Sequence, residues 1–259
     1  MMKRRRLITL AGITAGSVAA GFYRNEITAK IARSRSGDET PHSLAPSIAD
    51  DICLLTPEQE AGPYALQSPV RSDIREDRTG LNYDLDIQVV DVSSCKAIPG
   101  AKVEIWHCDT EGNYSGYPTG SSKKPFDTLT SLITSKDGHV EPSNNETYLR
   151  GLQEADANGT VSFTTIFPSW YELRMPHIHL RVALDDATLL TTQLYFDEDF
   201  YQNLYRTNPD YQRSGTCPYD KGNDVALIAY PDLRGLIVSP EAATNGHAYS
   251  SVKLGVIRA

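Results

Sequence analysis

The sequence is sparing with cysteine, with surplus positive charge and with repetition. Four cysteines stand in 259 residues, Cys53, Cys95, Cys108 and Cys217, and no two form a C-x-x-C pair. That spacing excludes a zinc ribbon or a thioredoxin-like redox centre. The formal net charge is -8, and four of the cations, Lys3 to Arg6, lie at the extreme N-terminus. The remainder is more acidic still, which argues against nucleic acid or an anionic membrane as a partner. No internal repeat or low-complexity tract is present.

What is present begins with Lys3-Arg4-Arg5-Arg6, followed by a run without charge from Leu7 to Tyr23. This is the pattern of a twin-arginine export signal, so residues 1–36 are expected to be signal and the start of a linker, and 37–51 a polar linker. No A-x-A site follows, and both cleavage and retention as an N-terminal membrane tether stay open. Beyond that signal no membrane contact is expected. An even number of cysteines in an exported chain suits disulfides. Three pairings are open, and sequence does not choose among them.

A folded domain is expected over 52–259, long enough to bury a substantial core at 40% hydrophobic content. Leu85, Ile87 and Val89 alternate with Asp84, Asp86 and Gln88, which predicts a half-buried strand over 83–92. Ala101, Val103 and Ile105 repeat the pattern. Further strands are predicted at 148–152, 161–166, 189–196, 225–230 and 251–256, with a turn at Asp156-Ala157-Asn158-Gly159. Short strands at this spacing argue for an all-β, antiparallel sandwich with long loops and few short helices. The polar stretch 116–145 reads equally as a lid and as a disordered loop.

His177-Ile178-His179 falls in such a strand, where alternate residues share a face, so one metal could take both imidazoles. Tyr114 and Tyr171 add two phenols. A phenol with an ordinary pKa near 10 ligates as phenolate at neutral pH only beside a strong Lewis acid. Two phenolates and two imidazoles form a hard N/O set that suits Fe(III) better than zinc.

These residues sit in a series of ordered motifs: Val103-Glu104-Ile105-Trp106 followed by Asp109, Gly112 and Tyr114; Thr165-Ile166 with Pro168, Tyr171, Arg174 and His177-Ile178-His179; and Thr192-Gln193-Leu194-Tyr195-Phe196. The series resembles the intradiol ring-cleavage dioxygenases, from Leu55-Thr56-Pro57-Glu58 to about Phe196, and is closest to their exported branch. The resemblance implies a non-haem Fe(III) enzyme that opens a catechol between its hydroxylated carbons with O2, giving a muconate-type diacid. It implies Tyr114, Tyr171, His177 and His179 as metal ligands, with Tyr171 also accepting a substrate proton. It implies Arg174 as the cation that stabilises charge on the ring, Gln193 beside the substrate, and Tyr64 of Gly62-Pro63-Tyr64 at the pocket mouth. Relatives often carry glycine where this chain has Leu173, which is expected to narrow the pocket. His107 is expected behind the ligands. The chain has no room for the helical segment that precedes the domain in catechol-specific relatives, so no dimer built on it is expected; monomer and homodimer stay open. A non-catalytic transthyretin-like binding module, or a catecholate-iron binder, is the alternative.

Overall fold

The computed structural model describes residues 53–117, 140–211, 216–242 and 246–258. The export signal, the linker and most of the expected lid lie outside the described residues. Two five-stranded sheets face one another. The first contains β1 (Asn82–Asp91), β2 (Lys96–Ala97), β5 (Thr160–Ile166), β9 (Glu241–Ala242) and β10 (Ala248–Val256). The second runs β4 (Arg150–Glu154), β3 (Lys102–Trp106), β6 (His177–Leu184), β7 (Ala187–Phe196) and β8 (Ile237–Val238).

The period of two fixes what each sheet turns inward. Tyr83, Leu85, Ile87 and Val89 from β1 meet Val103 and Ile105 from β3 and Ile178, Leu180 and Val182 from β6 in one buried core. The turn between β4 and β5 is held by Asp156, whose Oδ1 accepts from the Asn158 and Thr160 amides, both at 2.8 Å.

Two expectations need correction. The sheets are mixed, because β1 pairs in parallel with β10 and β7 in parallel with β8. A chain that returns to its first strand after long excursions can do so in either direction, and strand periodicity carries no information about direction. The segment 225–230 is no strand. Val225–Ala229 is a short helix, α2, capped by the Asp224 carboxylate, which accepts from the Ala226 and Leu227 amides. The cap outweighs the β preference of its apolar residues. A longer helix, α1, spans Glu198–Thr207 and is capped in the same way by Asp197.

Residues 53–66 form a strap across the open edge of the sandwich. The Cys53–Cys95 disulfide ties its start to the loop after β1, and Cys108 and Cys217 are buried thiols directed at the Ser169 and Tyr219 carbonyls. The Thr56 amide donates to Gly255 O at 2.9 Å on the first sheet, and the Gln59 amide to Thr191 O at 2.8 Å on the second. The strap lies so close to β10 that a Cβ at Gly255 would meet Leu54 O at 2.0 Å. Gly255→Ala should therefore lift the strap and cost about 1–3 kcal/mol of stability. Chemical denaturation measures this, and an unchanged midpoint would show that the strap is not held there.

Candidate metal centre

The second sheet has an outer face as well as an inner one. In the register of the sheet, Trp106 lies opposite His179, which lies opposite Gln193; Glu104 lies opposite Arg181, and His177 opposite Tyr195. All of these point away from the core formed by Ile105, Ile178, Leu180 and Leu194. Loops and the strap roof this face, so His177, His179, Gln193 and Tyr195 are buried.

Tyr114 arrives from the loop after β3. Asp109 shapes that loop by accepting from the Glu111 and Asn113 amides at 2.9 and 2.8 Å. Arg150, wholly buried, clamps the next residue, donating from Nε to Ser115 Oγ at 2.7 Å and from Nη2 to Ser115 O at 2.9 Å. Burial pushes the Arg150 guanidinium down to about 10. Tyr171 arrives from the turn Tyr171–Arg174, closed by backbone bonds in both directions.

The four donor atoms converge. Tyr114 Oη is 3.1 Å from His179 Nε2 and 3.3 Å from His177 Nε2; Tyr171 Oη is 3.3 Å from His177 Nε2, and the two Nε2 atoms are 3.2 Å apart. Donors about 2.0–2.1 Å from one cation, at angles of 90–110°, stand about 2.9–3.4 Å from one another. The set therefore fits a single metal ion. His177 Nδ1 lies 2.6 Å from Met175 O. A carbonyl only accepts, so Nδ1 carries the hydrogen and Nε2 offers its lone pair to the centre. Among the described residues no group of three or more His, Cys, Asp or Glu is placed to hold a metal. Phenols are what complete this site.

Burial dominates its electrostatics. It holds both His177 and His179 well below the ordinary histidine range, with the Arg174 charge adding to the effect. It raises the Tyr114 and Tyr171 phenols above theirs, against the pull of Arg174. The rings are thus neutral and ready to ligate, whereas the phenols keep their protons until a strong Lewis acid displaces them.

Arg174 is 5% exposed and reaches three polar groups. Its Nε lies 3.1 Å from each Asp224 oxygen, Nη1 donates to Tyr171 Oη at 3.4 Å, and Nη2 donates to Gln193 Oε1. Gln193 is fixed in turn, donating from Nε2 to Glu60 O on the strap at 3.0 Å and accepting from Tyr195 Oη. Tyr195 Oη also lies 2.9 Å from Gln59 Oε1, its single hydrogen shared between the two acceptors. Tyr64 is 3% exposed and stacks on Tyr114 at 4.8 Å, an inner wall rather than a rim. The strap passes close by because Gly62, at φ 71, has no Cβ; one would meet His179 Cε1 at 3.0 Å.

The family model described as "Dioxygenase" matches residues 57–205. The chain belongs to the intradiol ring-cleavage dioxygenase family. An intradiol ring-cleavage dioxygenase from Tetranychus urticae superposes with a TM-score of 0.68 at 31% identity, over 79% of this chain and 95% of that one. Chlorocatechol 1,2-dioxygenase of Rhodococcus opacus is 29% identical over 146 residues, 55% of this chain and 54% of that protein. Catechol 1,2-dioxygenase of Acinetobacter baylyi is 30% identical over 163 residues, 59% and 51%. The chain spans about half the length of these curated relatives. The family uses non-haem iron, for which the donor set above is suited.

Tyr64, Tyr114, Tyr171, Arg174, His177, His179 and Gln193 lie in this one cluster, His107 and Leu173 stand apart from it, and some neighbours were not foreseen. His107 turns to Thr165, 2.8 Å from its Oγ1, and to the Cys108 carbonyl, with no bond to the four donors. Leu173 is 44% exposed with φ 64. It lies on the surface and does not narrow a pocket; glycine suits this position because of the left-handed backbone. Asp224, Gln59 and Arg150 were missed. Asp224 carried a readable signal as a helix cap; Arg150, the first residue of a strand, carried none.

Three buried histidines make an acid-sensitive core. Burial pushes His107 down to about 4 and the two ligand rings well below 6.5. Unfolded histidine protonates near 6.5, so below that value the unfolded state binds more protons than the folded one, and stability falls with pH. As pH falls from 6.5 to 5 the metal-free protein should lose up to about 1.4 kcal/mol per pH unit per ring, about 4 per pH unit for all three. Denaturant titrations across that window measure it, and a flat profile would contradict neutral burial.

Proposed function

We propose that this chain is an Fe(III)-dependent intradiol dioxygenase that uses O2 to open a catechol-type ring between its hydroxylated carbons, yielding a muconate-type diacid. The convergence of two phenol oxygens and two imidazole nitrogens, joined by four contacts of 3.1–3.3 Å, carries this reading. Membership of the family and the catechol-cleaving names of its relatives support it.

Tyr114, Tyr171, His177 and His179 would hold the ion. Bound there, ferric iron supplies Lewis acidity and a place for a catechol to chelate. The chain's own groups do the rest. Tyr171 Oη, within reach of Arg174 Nη1, is placed to take up a substrate proton. The Arg174 guanidinium offers a fixed cation beside the ring, where developing negative charge gains most from a donor that needs no reorganisation. Gln193 and Tyr195 hold that guanidinium against the strap, and Tyr64 and Trp106 keep water from the ligand rings.

We also propose that residues 1–36 export the folded protein. The Cys53–Cys95 disulfide supports an oxidising destination. Replacing Arg4, Arg5 and Arg6 by lysine should leave the protein in the cytoplasm on fractionation; unaltered export would contradict a twin-arginine route.

The decisive experiment is a visible spectrum of the iron-loaded protein, repeated anaerobically with catechol. A broad tyrosinate-to-iron band, shifting to longer wavelength with catechol, is expected, followed by oxygen uptake on admitting air. Tyr114→Phe should abolish most of the band. A colourless protein with stoichiometric iron would overturn the reading.

A further inference from the structure

The family match ends at residue 205, yet one side chain well beyond it touches two parts of the centre. Asp224 is wholly buried at the start of α2. Its Oδ1 accepts from the Ala226 and Leu227 amides at 2.9 and 3.2 Å, as any helix cap would. Both oxygens also accept from Arg174 Nε at 3.1 Å, and Oδ2 accepts from the Met175 amide at 2.8 Å. Met175 is the residue whose carbonyl receives the hydrogen of His177 Nδ1 at 2.6 Å. The turn itself is tied to α2 a second time, the Val225 amide donating to Leu173 O at 3.1 Å.

We propose that Asp224 is a positioning residue for the reaction: it neutralises and aims the Arg174 guanidinium, and it seats the Met175 backbone that orients the His177 ligand. This rests on the ring-cleavage reading above. A cap alone needs only the two helix amides. The remaining oxygen capacity of Asp224 goes to Arg174 and Met175, and a buried guanidinium demands such a counter-charge. Gln193 and Tyr171 receive the other guanidinium nitrogens, so Asp224 alone among the described residues gives Arg174 an ion pair. Release from it leaves the cation free to rotate off the ring. A shift of about 1 Å in such a group is enough to slow a reaction by about a hundredfold.

Asp224→Asn isolates the role, because asparagine caps helices as well as aspartate does. Its amide still accepts from one backbone donor but presents no carboxylate to Arg174. With the wild-type protein coloured and active, the variant should keep the tyrosinate band and the anaerobic catechol shift. Decay of the catechol complex on admitting oxygen should slow at least tenfold, with little change in KM. Unchanged decay would overturn the proposal.

The double variant Arg174→Gln with Asp224→Asn provides for a poorly folding single variant, since it leaves no unpaired charge. With the tyrosinate band unchanged, its decay rate should equal that of Arg174→Gln alone within about twofold; a further large loss with an unchanged band would show that Asp224 acts through neither Arg174 nor the seat of His177 and overturn the proposal. If the wild-type protein itself shows neither band nor oxygen uptake, the ring-cleavage reading fails. The same four proteins, unfolded in denaturant without metal, then test the pair: non-additive midpoints support it, additive ones refute it.

Discussion

Strand β6 has to serve two surfaces at once, and the arrangement of the rest of the molecule follows from that. Ile178, Leu180 and Val182 fill the core between the sheets, while His177, His179 and Arg181 face outward. A sheet face carrying two neutral histidines cannot be left in water if the histidines are to stay neutral and rigid. It must be covered, and each polar atom the cover leaves without a partner is a cost. The strap, the loop bearing Tyr114 and the turn bearing Tyr171 are that cover, and each supplies the centre with a ligand or a clamp. The second sheet is thus sandwiched twice, by an apolar layer on one side and a polar, aromatic layer on the other.

Covering the face creates a charge problem that is solved in two different ways. Arg174 is paired with Asp224 and bonded to Gln193 and Tyr171, so that its charge is directed at the centre without being repelled by it. Arg150 has no such ion pair among the described residues; it donates to Ser115, beside Tyr114, and burial lowers its affinity for its own proton. Negative charge at Tyr114 would favour its charged form, as would that of Glu104. Both guanidiniums therefore favour the ionised form of Tyr114, and Arg174 that of Tyr171 as well, against the desolvation that favours the neutral form.

The parts of this design that repeat were legible in the sequence. Alternation revealed β1 and β3, β-type composition between turn signals marked β5 and β7, and the period of two placed His177 and His179 on one face. The family resemblance gave the order of Tyr114, Tyr171, Arg174 and Gln193. The parts that depend on a single contact between distant segments were not legible. Val225-Ala226-Leu227-Ile228 has the composition of a strand, and only the Asp224 carboxylate, reaching two amides ahead, makes it a helix. Strand direction in the pairing of β1 with β10 is set by the route of the chain, not by either strand's pattern. The strap has no periodicity because it crosses between sheets and bonds to each only briefly; its contacts with Thr191 and Gly255 involve backbone atoms that every residue possesses.

The depth of the phenols bears on which metal such a site would admit. In water a tyrosine gives up its proton near pH 10, and burial raises that threshold further for both Tyr114 and Tyr171. A weakly acidifying divalent ion entering the cluster would meet two neutral phenols and two imidazoles, a poor set for most such ions. An ion able to displace both phenol protons would meet two fixed anions in a medium of low dielectric, where their attraction is strongest. Desolvation thus acts as a filter on Lewis acidity. It would weaken binding of a weakly acidifying ion more than that of a trivalent one, so burial, ordinarily a cost to a charged site, would become a source of selectivity.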